Sequence, residues 1–109
     1  MIEVKVKRNN SGNPIAVAVK GHALFAPHGS DIVCAAVSVL TQTIVFALED
    51  LVGIKLPASM EEGCLLITLP AEMDSKQEEK CYLLLETMLL GLEETARAYP
   101  RYILWQDEK

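Results

Sequence analysis

Between Asp31 and Glu49 the chain carries its longest apolar run, Ile32 to Leu48, broken by Ser38, Thr41, Gln42 and Thr43. This run limits the folds available. A membrane-spanning helix needs about 20 mostly apolar residues. The run is shorter, polar in its middle, and bounded by Asp31 on one side and Glu49-Asp50 on the other. It reads instead as a buried helix. Gly29, followed by Ser30 and Asp31, either of which can serve as cap, marks a helix start. The helix extends to about Val52, where Gly53 supplies a left-handed stop. Being apolar nearly all round, it needs cover on two sides. In one domain, residues 1–109, a sheet covers one side and little chain is left for the other. A homodimer interface on this helix is therefore expected.

The flanking sequence supplies the sheet. Ile2, Val4 and Val6 alternate with Glu3, Lys5 and Lys7, the pattern of a half-buried strand. Asn9 to Pro14 is dense in turn residues, and Ile15 to Lys20 alternates again, so the first two strands form a hairpin. Ile54 to Ala58 reads as a short strand, Glu61-Glu62-Gly63 as a turn, and Cys64 to Leu69 as a strand near the sheet centre, ended by Pro70. Ser75-Lys76-Gln77-Glu78 has the form of a capping box. Behind it Cys81, Leu84, Leu85, Met88, Leu92 and Ala96 recur at helical spacing, so a second helix extends to about Ala98. Tyr102 to Trp105 reads as a last strand. The expected fold class is α+β: two layers, a mostly antiparallel sheet of about five strands (β-β-α-β-β-α-β along the chain) and two helices.

Composition removes several function classes. The net charge of −5 argues against the basic patch of a nucleic-acid binder, and aromatics are 6% of residues, so no direct nucleic-acid partner is expected. An acidic surface instead favours encounter with a basic partner. Met1-Ile2-Glu3-Val4 lacks the basic start and long apolar stretch of an export signal. Three cysteines, without a CxxC, make neither a disulfide framework nor a zinc site. The expected setting is a reducing cytoplasm with free thiols, no membrane, no metal and no cofactor.

The chemistry concentrates between Gly21 and Ser38. Cys34 falls in the first turn of the apolar helix, where unpaired N–H groups and the helix dipole favour a thiolate. Those N–H groups are also candidate donors to an oxyanion. His22, in Gly21-His22-Ala23, closes the second strand. A cysteine and a histidine within folding reach are the parts of a thiol nucleophile and its base. On position alone, Cys34 reads first as a small buried hydrophobe, and His22 as a surface residue.

Gly21-His22-Ala23, then Gly29, then Asp31-Ile32-Val33-Cys34-Ala35-Ala36-Val37-Ser38 resembles the ribosomal-processing cysteine protease family (Prp, YsxB-like). The resemblance covers the whole chain in length and element order. It implies a cytoplasmic, homodimeric protease with Cys34 as nucleophile and His22 as base. The implied substrate is the N-terminal extension of a large-subunit ribosomal protein, the one numbered twenty-seven. That extension is an extended apolar segment with aromatics just before a small residue. The stretch between the two blocks is implied to be a mobile loop over the site. Gly21, Ala23, Leu24, Phe25, Gly29 and Ser30 belong to this loop and its hinges, with Leu24 and Phe25 placed to touch substrate.

Two residues keep alternative roles. Asp31 is either the helix cap or the group that orients His22, and its charge works against a thiolate unless the cap occupies it. Ser38, one turn after Cys34, either bonds substrate or His22, or bonds back to the preceding helical turn. His28 has no metal-like spacing to any cysteine. Cys64 and Cys81 read as packing residues. The competing readings are a non-catalytic ribosome-associated or RNA-binding protein and a thiol redox enzyme. The first is disfavoured by charge, the second by the missing CxxC.

Overall fold

A computed structural model describes residues 1–27, 31–57, 60–61 and 63–108. Strand β1, Ile2–Arg8, buries Ile2, Val4 and Val6 and exposes Glu3, Lys5 and Lys7, as its alternation requires. It pairs antiparallel with β2, Pro14–Gly21. Asn9 closes this hairpin, its side-chain oxygen accepting from the N–H groups of Ser11 and Asn13, both at 3.0 Å.

Helix α1 spans Ile32–Ala47 and continues into a π-helical turn, Leu48–Val52, which ends at Gly53 with φ 83°. The segment Ile32–Val52 is long and apolar enough to cross a membrane by length and composition. Here it lies on the domain, and its buried residues Val33, Val37, Ile44, Val45 and Leu48 join the core. The strand expected at Ile54 to Ala58 is not formed over Ile54 to Pro57, and Ala58 lies outside the described residues. Ile54 and Leu56 turn inward onto the core, which produced the alternating pattern, but Pro57 offers no N–H for a ladder. The pairing falls later. Strand β3, Met60–Glu61, pairs antiparallel with β4, Cys64–Thr68, in part of the region read as a turn.

Helix α2, Ser75–Ala98, is capped one residue earlier than the Ser75 motif suggested. Asp74 accepts from Gln77 N at 2.8 Å, and Gln77 Oε1 accepts from Asp74 N at 3.1 Å. Its buried stripe is Cys81, Leu85, Met88, Leu89, Leu92 and Ala96. It leads to β5, Ile103–Asp107.

The sheet order is β3-β4-β2-β1-β5. It has four full strands plus the two-residue β3, where about five strands were expected. It is also mixed: β5 pairs parallel with β1, while β2 pairs antiparallel with both β1 and β4. The parallel pair follows from α2, because β4 and β5 run the same way and a helical crossover of 24 residues joins them. Arg8 ties β1 to β5 through a two-pronged ion pair with Asp107, at 2.8 and 2.9 Å. The inward residues of β1, β2 and β4 join those of both helices in one core.

Candidate active site

The site lies where β2 ends and α1 begins. Gly21 has φ 95°, and a Cβ there would collide with the carbonyl oxygen of Met1. Only glycine lets the chain leave β2 so close to the start of β1. Its N–H donates to Gly63 O at 2.7 Å, which fastens the end of β2 to the turn between β3 and β4. His22 follows, exposed, with the Nε2 edge of its ring against Gly63.

Ala23 is 3% exposed, and its N–H donates to Cys34 Sγ at 3.3 Å. The residue after His22 therefore holds the Cys34 sulfur directly. Leu24 adopts φ 58°, left-handed for a residue with a side chain, and is 78% exposed. This reversal costs about 1 kcal/mol. It brings the N–H groups of Phe25 and Ala26 onto Asp31 Oδ2, at 2.9 and 3.4 Å.

Asp31 is the N-cap of α1: its Oδ1 accepts from Val33 N and Cys34 N, both at 3.0 Å. One carboxylate thus spans the loop and the helix start and accepts four backbone N–H groups. Desolvation pushes its pKa up, but the bonds from Cys34, Phe25, Ala26 and Val33 outweigh this and hold it below the ordinary value. Both oxygens are engaged by backbone, so the cap role is the one the geometry shows. Of the first-turn N–H groups expected as candidate oxyanion donors, two are already engaged. Val33 N and Cys34 N are bound to the Asp31 side chain, and Ala35 N donates to Asp31 O at 3.0 Å.

Phe25 docks edge-on against Tyr99 and Tyr102, ring centroids 5.8 and 5.2 Å apart. The loop expected to be mobile is, from Ala23 to Ala26, hydrogen-bonded to Cys34 and Asp31 and held by this aromatic contact. His28, Gly29 and Ser30 lie outside the described residues. Ser38 lines the cleft, exposed, and among the described residues its hydroxyl has no hydrogen-bond partner.

His22, Asp31, Cys34 and Ser38 all border one cleft of about 630 Å³, with Leu24, Thr41, Gln42, Gly63 and Cys64. Cys34 is half-buried in its lining. Cys81 is remote in function: it is buried in α2 with its Sγ 3.7 Å from Met73 Sδ, and burial pushes its thiol up. Sequence reasoning missed the Ala23 N–H contact and Gly63. Backbone donors leave no sequence signal, and Gly63 registered only as a turn residue.

The geometry can be set beside known proteins. Residues 1–104 match the family model described as cysteine protease Prp. The chain is 32% identical over 101 residues to ribosomal processing cysteine protease Prp of Bacillus subtilis, covering 91% of this chain and 90% of that one. Prp of S. aureus, solved with a covalently linked product peptide, superimposes with a TM-score of 0.88 at 26% identity, over 99% of this chain and 100% of that one. A Streptococcus mutans protein superimposes with a TM-score of 0.81 at 34% identity, covering 98% and 93%. The match spans both strands of the hairpin, both helices and the whole cleft, and the chain belongs to the Prp family of cysteine proteases.

Proposed function

We propose that this protease uses Cys34 as nucleophile and His22 as general base to remove the short N-terminal extension of large-subunit ribosomal protein number twenty-seven, in support of ribosome assembly. The observation that carries the reading is the junction at Ala23. One residue after His22, a buried backbone N–H grips the Cys34 sulfur, and both side chains open on the same cleft.

The steps follow from these positions. His22 takes the Cys34 thiol proton, and the sulfur attacks the scissile carbonyl carbon. The carbon–nitrogen bond breaks as His22 returns the proton to the leaving amine. Cys34 then carries the extension as a thioester. His22 next deprotonates water, which attacks the thioester and releases the extension as a free carboxylate. Asp31 acts on the scaffold rather than on His22, fixing the helix start and the loop together. Ser38 and Leu24, exposed at the cleft, are placed to meet substrate.

A homodimer in the cytoplasm belongs to the same reading. Ile32, Val39 and Phe46 recur every seven residues on α1, each more than half exposed. Leu83 and Leu90 do the same on α2. Apolar stripes of this kind call for cover. The S. aureus relative has also been solved with a substrate peptide.

The test is incubation with the unprocessed ribosomal protein, with mass spectrometry of its N-terminus. Wild type removes the extension, Cys34→Ala leaves it in place, and His22→Ala removes it about 100-fold more slowly. Cleavage by Cys34→Ala at the wild-type rate refutes the assignment.

A further inference from the structure

We propose that Gly63, in the turn between β3 and β4, is the positioning residue for the His22 imidazole. The inference rests on His22 being the base of the proposed reaction and goes beyond it by naming what orients that base.

An exposed histidine at a strand end has many rotamers, and a general base needs one. The usual device is a carboxylate bonded to the ring. Among the described residues no carboxylate is bonded to the ring: both Asp31 oxygens serve backbone N–H groups, and no hydrogen bond reaches the His22 side chain. What meets the ring is the bare backbone of Gly63. A Cβ built on Gly63 would lie 2.6 Å from His22 Nε2, 3.0 Å from Cε1 and 3.3 Å from Cδ2. The whole distal edge of the imidazole therefore occupies the space a side chain would take. The turn is held in that place by the bond from Gly21 N to Gly63 O, 2.7 Å long, one residue before His22. Strand end, turn and imidazole form one packed unit, and Gly63 is the platform on which the ring rests.

A methyl group at position 63 forces the ring off this platform, and so away from its working direction. Gly63 also has φ 73°, so Gly63→Ala strains the backbone as well. Two other glycines separate the effects. Gly12 and Gly53 have φ 85° and 83°, and a Cβ on either meets nothing within 4 Å. Gly12→Ala and Gly53→Ala therefore carry the strain without touching the ring.

The experiment measures kcat and KM for cleavage of the unprocessed ribosomal protein, below the melting temperature of every variant. Gly63→Ala is expected to lower kcat about 100-fold, the scale of a lost general base, with KM changed less than about threefold. Gly12→Ala and Gly53→Ala are expected to stay within about twofold of wild type. In the His22→Ala background, Gly63→Ala is expected to have no further effect, because the base it orients is gone. If Gly63→Ala behaves like Gly53→Ala, or still slows cleavage in the His22→Ala background, the platform role is overturned while His22 keeps its own. If His22→Ala alone cleaves at the wild-type rate, the underlying reading falls, and the platform with it.

Discussion

Phe25→Ala tests how the loop beside Cys34 is held. The Phe25 ring lies edge-on to Tyr99 and Tyr102 at 5.8 and 5.2 Å. Each such pair contributes about 0.5–1.5 kcal/mol beyond area burial. Phe25 is 39% exposed, so part of that is lost to solvent. About 1–2 kcal/mol for the two pairs together is a fair value. The contact closes a loop rather than the core, so its loss is felt first as local opening. At about 1.4 kcal/mol per tenfold, opening rises about 5- to 30-fold. The reporter is the Ala23 amide, which the closed loop keeps bonded to Cys34 Sγ. Hydrogen exchange of a peptide spanning residues 22–27 is predicted to quicken by that factor, with the β1 and β2 amides unchanged. Unchanged exchange in residues 22–27 would show that the aromatic contact does not hold the loop. Equal quickening in β1 and β2 would show that the loop and core unfold as one unit.

Two further outcomes follow. Asp31 has a folded-state pKa below its ordinary value of 3.8. Its carboxylate therefore stabilises the fold fully above that value, and the contribution is lost as pH falls through the lower folded-state value. The stability gap between wild type and Asp31→Asn, followed by urea melts, is predicted to be constant from pH 7 to about 5 and to close in acid; a gap that widens in acid would contradict the four-bond cap. Val39, 67% exposed in the middle of the α1 stripe, is predicted to be covered in the dimer. Val39→Glu is predicted to shift the sedimentation coefficient from dimer to monomer, and a dimer that persists at equal concentration would place the interface elsewhere.

The sequence made the hairpin and both helices legible for a simple physical reason. The Ile2-Val4-Val6 alternation and the Cys81-to-Ala96 stripe each bury one face, so pattern and burial coincide. The Ile54 to Ala58 error has the same origin: Ile54 is buried and Leu56 partly buried by packing on the core, and Ile54 to Pro57 has no strand partner. The parallel β1–β5 pair is a long-range choice, made by where a 24-residue crossover delivers the chain, and no local pattern encodes it. In the site, side chains were legible and backbone was not. Cys34, His22 and the Asp31 cap could be named from residue type and position. The N–H of Ala23 on the sulfur and the bare face of Gly63 depend on the path of the chain.

In the proposed reaction Cys34 carries the cleaved extension as a thioester. Rapid acid quench during turnover of the unprocessed ribosomal protein, followed by intact mass and peptide mapping, reads this directly. The expected result is an adduct of the extension's mass less one water, placed on Cys34 and absent from Cys34→Ala. Cleavage without that adduct in Cys34→Ala, or an adduct mapped to Cys64 or Cys81, would contradict it.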